Sequence, residues 1–115
     1  MAKVLIVDDE QSLLFLLQQI VEEQGHYVLL AENGEQALHA LEKENPDLII
    51  TDVMMPIMDG YQLLMEVKTR PELCDTKVVL ISAAPINRRF EPKPDAYLTK
   101  PYDLVTIEDL LLQLI

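Results

Sequence analysis

The apolar residues of this chain keep two different periods in turn, and that alternation restricts the folds open to it more than any other property. Short aliphatic runs stand at KVLIV (3–7), YVLLA (27–31), DLIIT (47–51), KVVLIS (77–82) and AYLT (96–99), and all but the last are nearly continuously apolar. A strand with one wet face alternates, whereas a strand covered on both faces does not, so these runs read as interior strands. Between them the spacing lengthens to that of a helix face. Leu13, Leu16, Leu17, Ile20 and Val21 mark the first helix, and Ala37, Ala40 and Leu41 the second. Leu63, Leu64 and Val67 mark the third, and Ile107, Leu111 and Leu114 the last. Asn33, Asp59 and Asp103 stand where N-caps belong, while Pro46 and Pro71 close the second and third helices.

Strands alternating with helices imply an open, doubly wound α/β fold, a parallel sheet with helices on both faces. At 115 residues, half of them hydrophobic, the chain fills one such domain, read as residues 1–115, with no internal repeat or linker. Twenty acidic against nine basic residues give a formal charge of -11, which repels nucleic-acid phosphates and anionic lipid heads alike. No direct nucleic-acid or membrane partner is therefore expected. Cys74 is the single cysteine, so there is neither a disulfide framework nor a metal-thiolate spacing, and no apolar run is long enough for a signal peptide or a membrane span. The chain reads as a soluble cytoplasmic protein.

Ligands of doubly wound sheets bind beyond the C-terminal strand ends, where strand order reverses. The polar residues at those ends are Asp8, Asp9 and Glu10 after the first run, Asp52 after the third, Ser82 on the fourth, and Thr99 and Lys100 after the fifth. Crowded carboxylates repel one another unless a cation neutralises them. Oxygen-only donors without His or Cys favour a hard ion such as Mg²⁺. The amine and the hydroxyl are then left to hold further anionic oxygens. A bound phosphoryl group fits that description, with Asp52 either coordinating the metal beside it or attacking phosphorus to form an acyl phosphate. Each residue alone has a simpler reading: an acid after a strand caps a helix or forms a turn, Ser82 bonds backbone, and Lys100 is a solvated amine. Turn preferences do not by themselves place the residue types of a metal-phosphoryl site on four separate strand ends. Pro56 and Gly60 serve loop geometry under either reading.

The stretches VLIVDDE, NGEQAL, PDLIITDVMMPIMDG, VVLISA and DAYLTKP, in this order across nearly the whole chain, resemble the receiver domain of two-component response regulators, including the chemotaxis-type regulators. The resemblance implies a flavodoxin-like five-stranded sheet of order 2-1-3-4-5. It makes Asp52 the phosphoacceptor, served by a sensor kinase phosphohistidine, a phosphotransfer protein or a small donor such as acetyl phosphate. Asp9 then binds Mg²⁺ directly, Asp8 acts through water, and the backbone carbonyl of Met54 completes the protein ligands. Ser82 matches the switch hydroxyl, Lys100 the amine on the phosphoryl group, and Tyr97 the aromatic switch residue, with a cis Lys100–Pro101 bond. Such a chain is a signalling switch rather than an enzyme, since phosphoryl acceptance and slow autodephosphorylation act only on itself. Its output goes to an effector protein or to a C-terminal output domain.

Two departures from the family pattern carry expectations of their own. Ser82 and Lys100 are only 18 positions apart, short of the family pattern by roughly one helical turn of about 3.6 residues. With Pro85, Pro92 and Pro94 in that interval, the fourth helix of the family is expected to be shortened or irregular, at most one or two turns near 86–91. Met54 and Ala84, two residues beyond Asp52 and Ser82, offer no polar side chain to orient water, which predicts a long-lived phosphoryl group. On the last helix, Val105 and Leu112 fall outside the buried face and suggest a homodimer or a covering domain. Two other functions stay open: a receiver-like interaction module that does not use phosphate, and an Asp-nucleophile phosphatase. The latter needs a second acid where Met54 stands.

Overall fold

The computed structural model describes residues 1–115. In chain order the elements are β1 (Lys3–Val7), α1 (Gln11–Glu23), β2 (Tyr27–Ala31), α2 (Gly34–Lys43), β3 (Leu48–Asp52) and α3 (Gly60–Lys68). A 3-10 turn (Pro71–Leu73), β4 (Lys77–Ser82), β5 (Ala96–Thr99) and α4 (Leu104–Leu114) complete the chain. All strand pairs are parallel and their order is β2-β1-β3-β4-β5, so the order reverses between β1 and β3. Four strands coincide with the apolar runs. The third is displaced by one residue, because Asp52 stays in the ladder opposite Ile81.

Successive side chains of a strand point to opposite faces, and each face here has its own core. Val4, Ile6, Ile50 and Ile81 pack with Leu14, Leu17 and Val21 of α1 and Ile107 and Leu111 of α4. Leu5, Val7, Ile49 and Leu80 pack with Ala37 and Leu41 of α2 and Leu63, Leu64 and Val67 of α3. Asn33 and Asp103 accept hydrogen bonds at the starts of α2 and α4, and Asp59 forms a reciprocal capping box with Gln62 at α3.

One expectation needs correction. The buried stripe of α1 includes Leu14 in place of Leu13 and Leu16, and Leu16 is 47% exposed. Consecutive leucines at 13–14 and 16–17 offer two overlapping stripes, and packing on β1 selects between them. Between β4 and β5 no helix forms, in keeping with the expectation of a shortened or irregular segment of at most two turns. A single hydrogen-bonded turn at 88–89 is present, closed by the Phe90 N–H donating to the Asn87 carbonyl at 3.3 Å. This connection is tied to the rest of the domain by side chains. The Phe90 ring lies 4.9 Å from that of Tyr61, and the Tyr61 hydroxyl accepts the Asn87 N–H at 2.6 Å. Asp95 pairs with Lys68 at 3.0 Å and accepts the Val78 N–H at 2.7 Å. Phe90 and Tyr97 pack against the core shared with α2 and α3. The Lys100–Pro101 bond is cis, as the family resemblance implied, and so is Glu91–Pro92.

Candidate functional site

Three strand ends use the same local device. The Asp8 carboxylate accepts the Glu10 N–H (2.9 Å), the Asp52 carboxylate accepts the Met54 N–H (3.1 Å), and the Ser82 hydroxyl accepts the Ala84 N–H (3.0 Å). Each bond spans two residues, so the turn reading of these side chains holds. It does not compete with the site reading, because one oxygen of each carboxylate remains free. Those free oxygens meet Lys100: its Nζ stands 2.7 Å from Asp52 Oδ2 and 3.6 Å from Asp8 Oδ2. Helix capping, by contrast, is not what the acids after β1 do. Glu10 occupies the N-cap of α1 without a side-chain cap bond.

Asp8, Asp9 and Asp52 can each bring a carboxylate oxygen within 4.8 Å of the others. Asp8 and Asp52 are buried, at 2% and 6% exposure, while Asp9 lies open to solvent. Burial pushes the Asp8 carboxyl above its ordinary range and the charges of Asp52 and Asp9 add to this, against the Glu10 N–H and Lys100. For Lys100, burial works against the ammonium, but the hydrogen bond to Asp52 and the charges of Asp52 and Asp8 outweigh it, and its pKa is raised. One ammonium does not neutralise three acids. Hard oxygen donors of which two are buried and one faces water suit a divalent ion that retains part of its hydration, which is the habit of Mg²⁺.

The site is braced from below by α3. Its first residue, Gly60, donates to the Val53 carbonyl at 2.9 Å, and a Cβ at that position would lie only 2.6 Å from the Asp52 carbonyl oxygen. The Thr51 hydroxyl donates to that same carbonyl at 3.0 Å. Ser82, fully buried, ends β4 at the same sheet edge, and its carbonyl accepts the Lys100 N–H at 2.9 Å. Met54 sits on the rim with its side chain 66% exposed.

Tyr97 is not among the converging groups. It is half-buried on β5 opposite Leu80, with the Arg88 guanidinium 4.5 Å above its ring. The sequence reading missed Arg88, which sits in the irregular connection, where no period reports contacts. Tyr102 was missed as well: its hydroxyl is buried without a hydrogen-bond partner, and burial raises its pKa while Lys100, Asp8, Asp52 and Glu10 all act on it. Its place two residues after Lys100 was the only available signal.

A flavodoxin-like α/β domain with an acidic pocket and a lysine at its switch point is the class that fold and site define. The sequence profile of the response regulator receiver domain matches residues 4–112, and the chain belongs to that family. It is 35% identical over 102 residues to the alkaline phosphatase synthesis transcriptional regulatory protein PhoP of Bacillus subtilis, covering 87% of this chain but 42% of that protein. Sporulation initiation phosphotransferase F of the same organism is 35% identical over 111 residues, 93% of this chain and 88% of the relative. The structure of response regulator TrrA of Thermotoga maritima, solved in complex with Mg²⁺-BeF, superposes with a TM-score of 0.87 at 30% identity, covering all of both chains. As a receiver domain of two-component signalling, the chain is of the phosphorylation-controlled kind.

Proposed function

We propose that residues 1–115 form one receiver domain in which Asp52 accepts a phosphoryl group from a phosphohistidine on a sensor kinase or phosphotransfer protein. The observation that carries this is the state of the Asp52 carboxylate. It is nearly buried, held at one oxygen by the Met54 N–H, held at the other by Lys100, and flanked by two further acids. In the transfer, an Asp52 oxygen forms a bond to phosphorus as the bond from phosphorus to the imidazole nitrogen breaks. The imidazole leaves with that electron pair. The side chains of Asp9 and Asp52, with the Met54 carbonyl, are the ligands we assign to Mg²⁺, and Asp8 acts through water. Bound Mg²⁺ supplies charge neutralisation for the crowded phosphoryl and carboxylate oxygens. The structure of TrrA, solved in complex with Mg²⁺-BeF, supports Mg²⁺ as the ion.

Lys100 passes from Asp52 to a phosphoryl oxygen, and the Ser82 hydroxyl turns from the Ala84 N–H to donate to another. Both movements pull on the connection between β4 and β5, which carries Arg88 above Tyr97. Tyr97 is thus assigned to the switch rather than to the chemistry. The altered surface is read by an effector protein or an output domain. Val105 and Leu112, 62% and 78% exposed on α4, are the residues we assign to a homodimer or to such a domain. Autodephosphorylation is the only hydrolysis attributed to the chain. A cytoplasmic setting is consistent with its family, and no helix is long and apolar enough to cross a membrane.

The test is intact mass after incubation with acetyl phosphate and Mg²⁺, beside Asp52→Asn and a chelator-treated sample. A metal-dependent gain of one phosphoryl group, absent from Asp52→Asn, is the expected result. No gain even with a cognate kinase would replace this reading with a phosphate-independent interaction module.

A further inference from the structure

We propose that Tyr102 is a positioning residue for phosphoryl transfer: its hydroxyl donates to the Asp8 carboxylate once Lys100 has turned to the phosphoryl group. The inference rests on Asp52 being the acceptor. In the unphosphorylated domain both halves of that bond are left over. The Tyr102 hydroxyl is the one buried side-chain polar group without a hydrogen-bond partner. Asp8 Oδ1 accepts the Glu10 N–H at 2.9 Å, whereas Asp8 Oδ2 has only the Lys100 ammonium at 3.6 Å, beyond hydrogen-bond length. A buried donor without an acceptor and a buried carboxylate oxygen without a donor thus stand at one sheet edge, and each destabilises the resting state.

The surroundings of the Tyr102 ring leave it room to reach Asp8. Tyr102 and Lys100 line one cavity of about 320 Å³, together with Leu13 and Leu16 of α1, Ala83 after β4, and Pro101. Tyr102 also lines a second cavity, of about 290 Å³, with Leu16 and Ile20 of α1 and Leu104 of α4. Space on two sides means that the ring is not wedged in place. Burial pushes the Tyr102 hydroxyl up, so it keeps its proton and acts as a donor, and the charges of Lys100, Asp8, Asp52 and Glu10 all reach it. Among those acids Asp8 is the one with a buried oxygen to offer. Glu10 is exposed and already accepts the Ser12 hydroxyl at 3.1 Å, while Asp52 carries the phosphoryl group.

The need for the bond arises on phosphorylation. Lys100 is held at 2.7 Å by Asp52 in the resting state. A phosphoryl group adds about -1.5 to -2 of charge, which the same ammonium must serve, so Asp8 loses part of its counter-charge. Pro101 fixes one backbone angle between Lys100 and Tyr102, and a shift at Lys100 is passed to the ring with little slack. The hydroxyl then gives Asp8 Oδ2 a neutral donor. The buried carboxylate thereby stays ionised and oriented while Lys100 is occupied elsewhere.

Tyr102→Phe removes the oxygen and keeps the ring. The unphosphorylated variant is expected to melt at or above the wild-type temperature, because the oxygen it loses has no partner there. Its apparent affinity for Mg²⁺-BeF, which stands in for the phosphoryl group, is read from the rise in Tm across a titration. That affinity and the rate of labelling by acetyl phosphate are each expected to fall about tenfold, as for one lost hydrogen bond to a charged group. Asp8→Asn supplies the second measurement, since its amide turns its oxygen to the Glu10 N–H and leaves an NH₂ group where Oδ2 stood. In that background Tyr102→Phe is expected to change neither quantity further. A Tyr102→Phe chain that binds Mg²⁺-BeF and is labelled as the wild type is would overturn the inference. An equal loss in the Asp8→Asn background would overturn it too, as would an unphosphorylated Tyr102→Phe chain that melts well below the wild type. Wild-type protein that no donor labels would instead overturn the role of Asp52.

Discussion

Replacing Gly60 with alanine tests the brace beneath the acceptor. The added Cβ would meet the Asp52 carbonyl oxygen at 2.6 Å, which is 0.8 Å inside the 3.4 Å where ordinary contact begins, and the Val53 Cα at 2.8 Å. Both obstacles are backbone of the strand that carries the acceptor, so neither can rotate away. The helix start must lift from the sheet or β3 must yield. Overpacking of this kind costs about 1–3 kcal/mol, and alanine returns up to about 1 kcal/mol of helix propensity. The net loss of about 1–2 kcal/mol corresponds to a fall in Tm of roughly 4–8 °C for a domain of this size. Phosphorylation by acetyl phosphate should slow as well, because whatever shifts is bonded to Asp52. Gly25→Ala is the control. Its φ of +89° makes alanine strained, yet nothing lies within 4 Å of the new methyl group, so it should lower Tm without altering phosphorylation. Thermal melts and intact-mass time courses of both variants decide the matter. Gly60→Ala protein that melts at the wild-type temperature and labels at the wild-type rate would refute the close approach.

The metal-free site should handicap the fold at neutral pH. Because the Asp8 pKa is raised above its ordinary 3.8, its contribution to stability is complete below that pH and is lost as pH rises through the folded value. Asp8→Asn should therefore stabilise the metal-free domain at pH 7 by on the order of 1 kcal/mol, seen as a higher Tm, and reduce the stabilisation gained from Mg²⁺. An unchanged Mg²⁺-induced rise in Tm would argue against a metal site at these acids. Met54→Asn places an amide on the exposed rim beside Asp52, where it can orient water, and should speed phosphoryl loss roughly tenfold. Decay followed by intact mass checks this; rapid loss from wild-type protein, with the variant no faster, would show that the apolar flank does not protect the acyl phosphate.

Strand positions, three helix caps and the converging strand ends were legible in the sequence because each is governed by local chemistry. A run such as KVLIV has one way to bury both faces, and Asp59 meets Gln62 within one turn of helix. The polar groups at the strand ends followed from the same reading, since parallel strands deliver their C-terminal residues to one edge. Local signals failed where two arrangements were nearly equal in the chain itself. The leucines of α1 could present either of two stripes, and the 83–95 connection had prolines enough to weaken a helix but no period to show what would replace it.

The remaining features come from contacts distant in sequence. Tyr61 and Asp95 hold the connection against α3 and β4, and Arg88 meets Tyr97 only because that connection folds back over β5. Ile57 is driven into a left-handed turn by side chains anchored on either side of it, one of them against Gly34 of another helix. Periodicity reports which residues a single element buries, and residue chemistry reports which groups can act together. Neither encodes the distance between elements, so the 2.7 Å contact of Lys100 with Asp52, 48 residues apart, arises only when the sheet brings β3 and β5 to one edge.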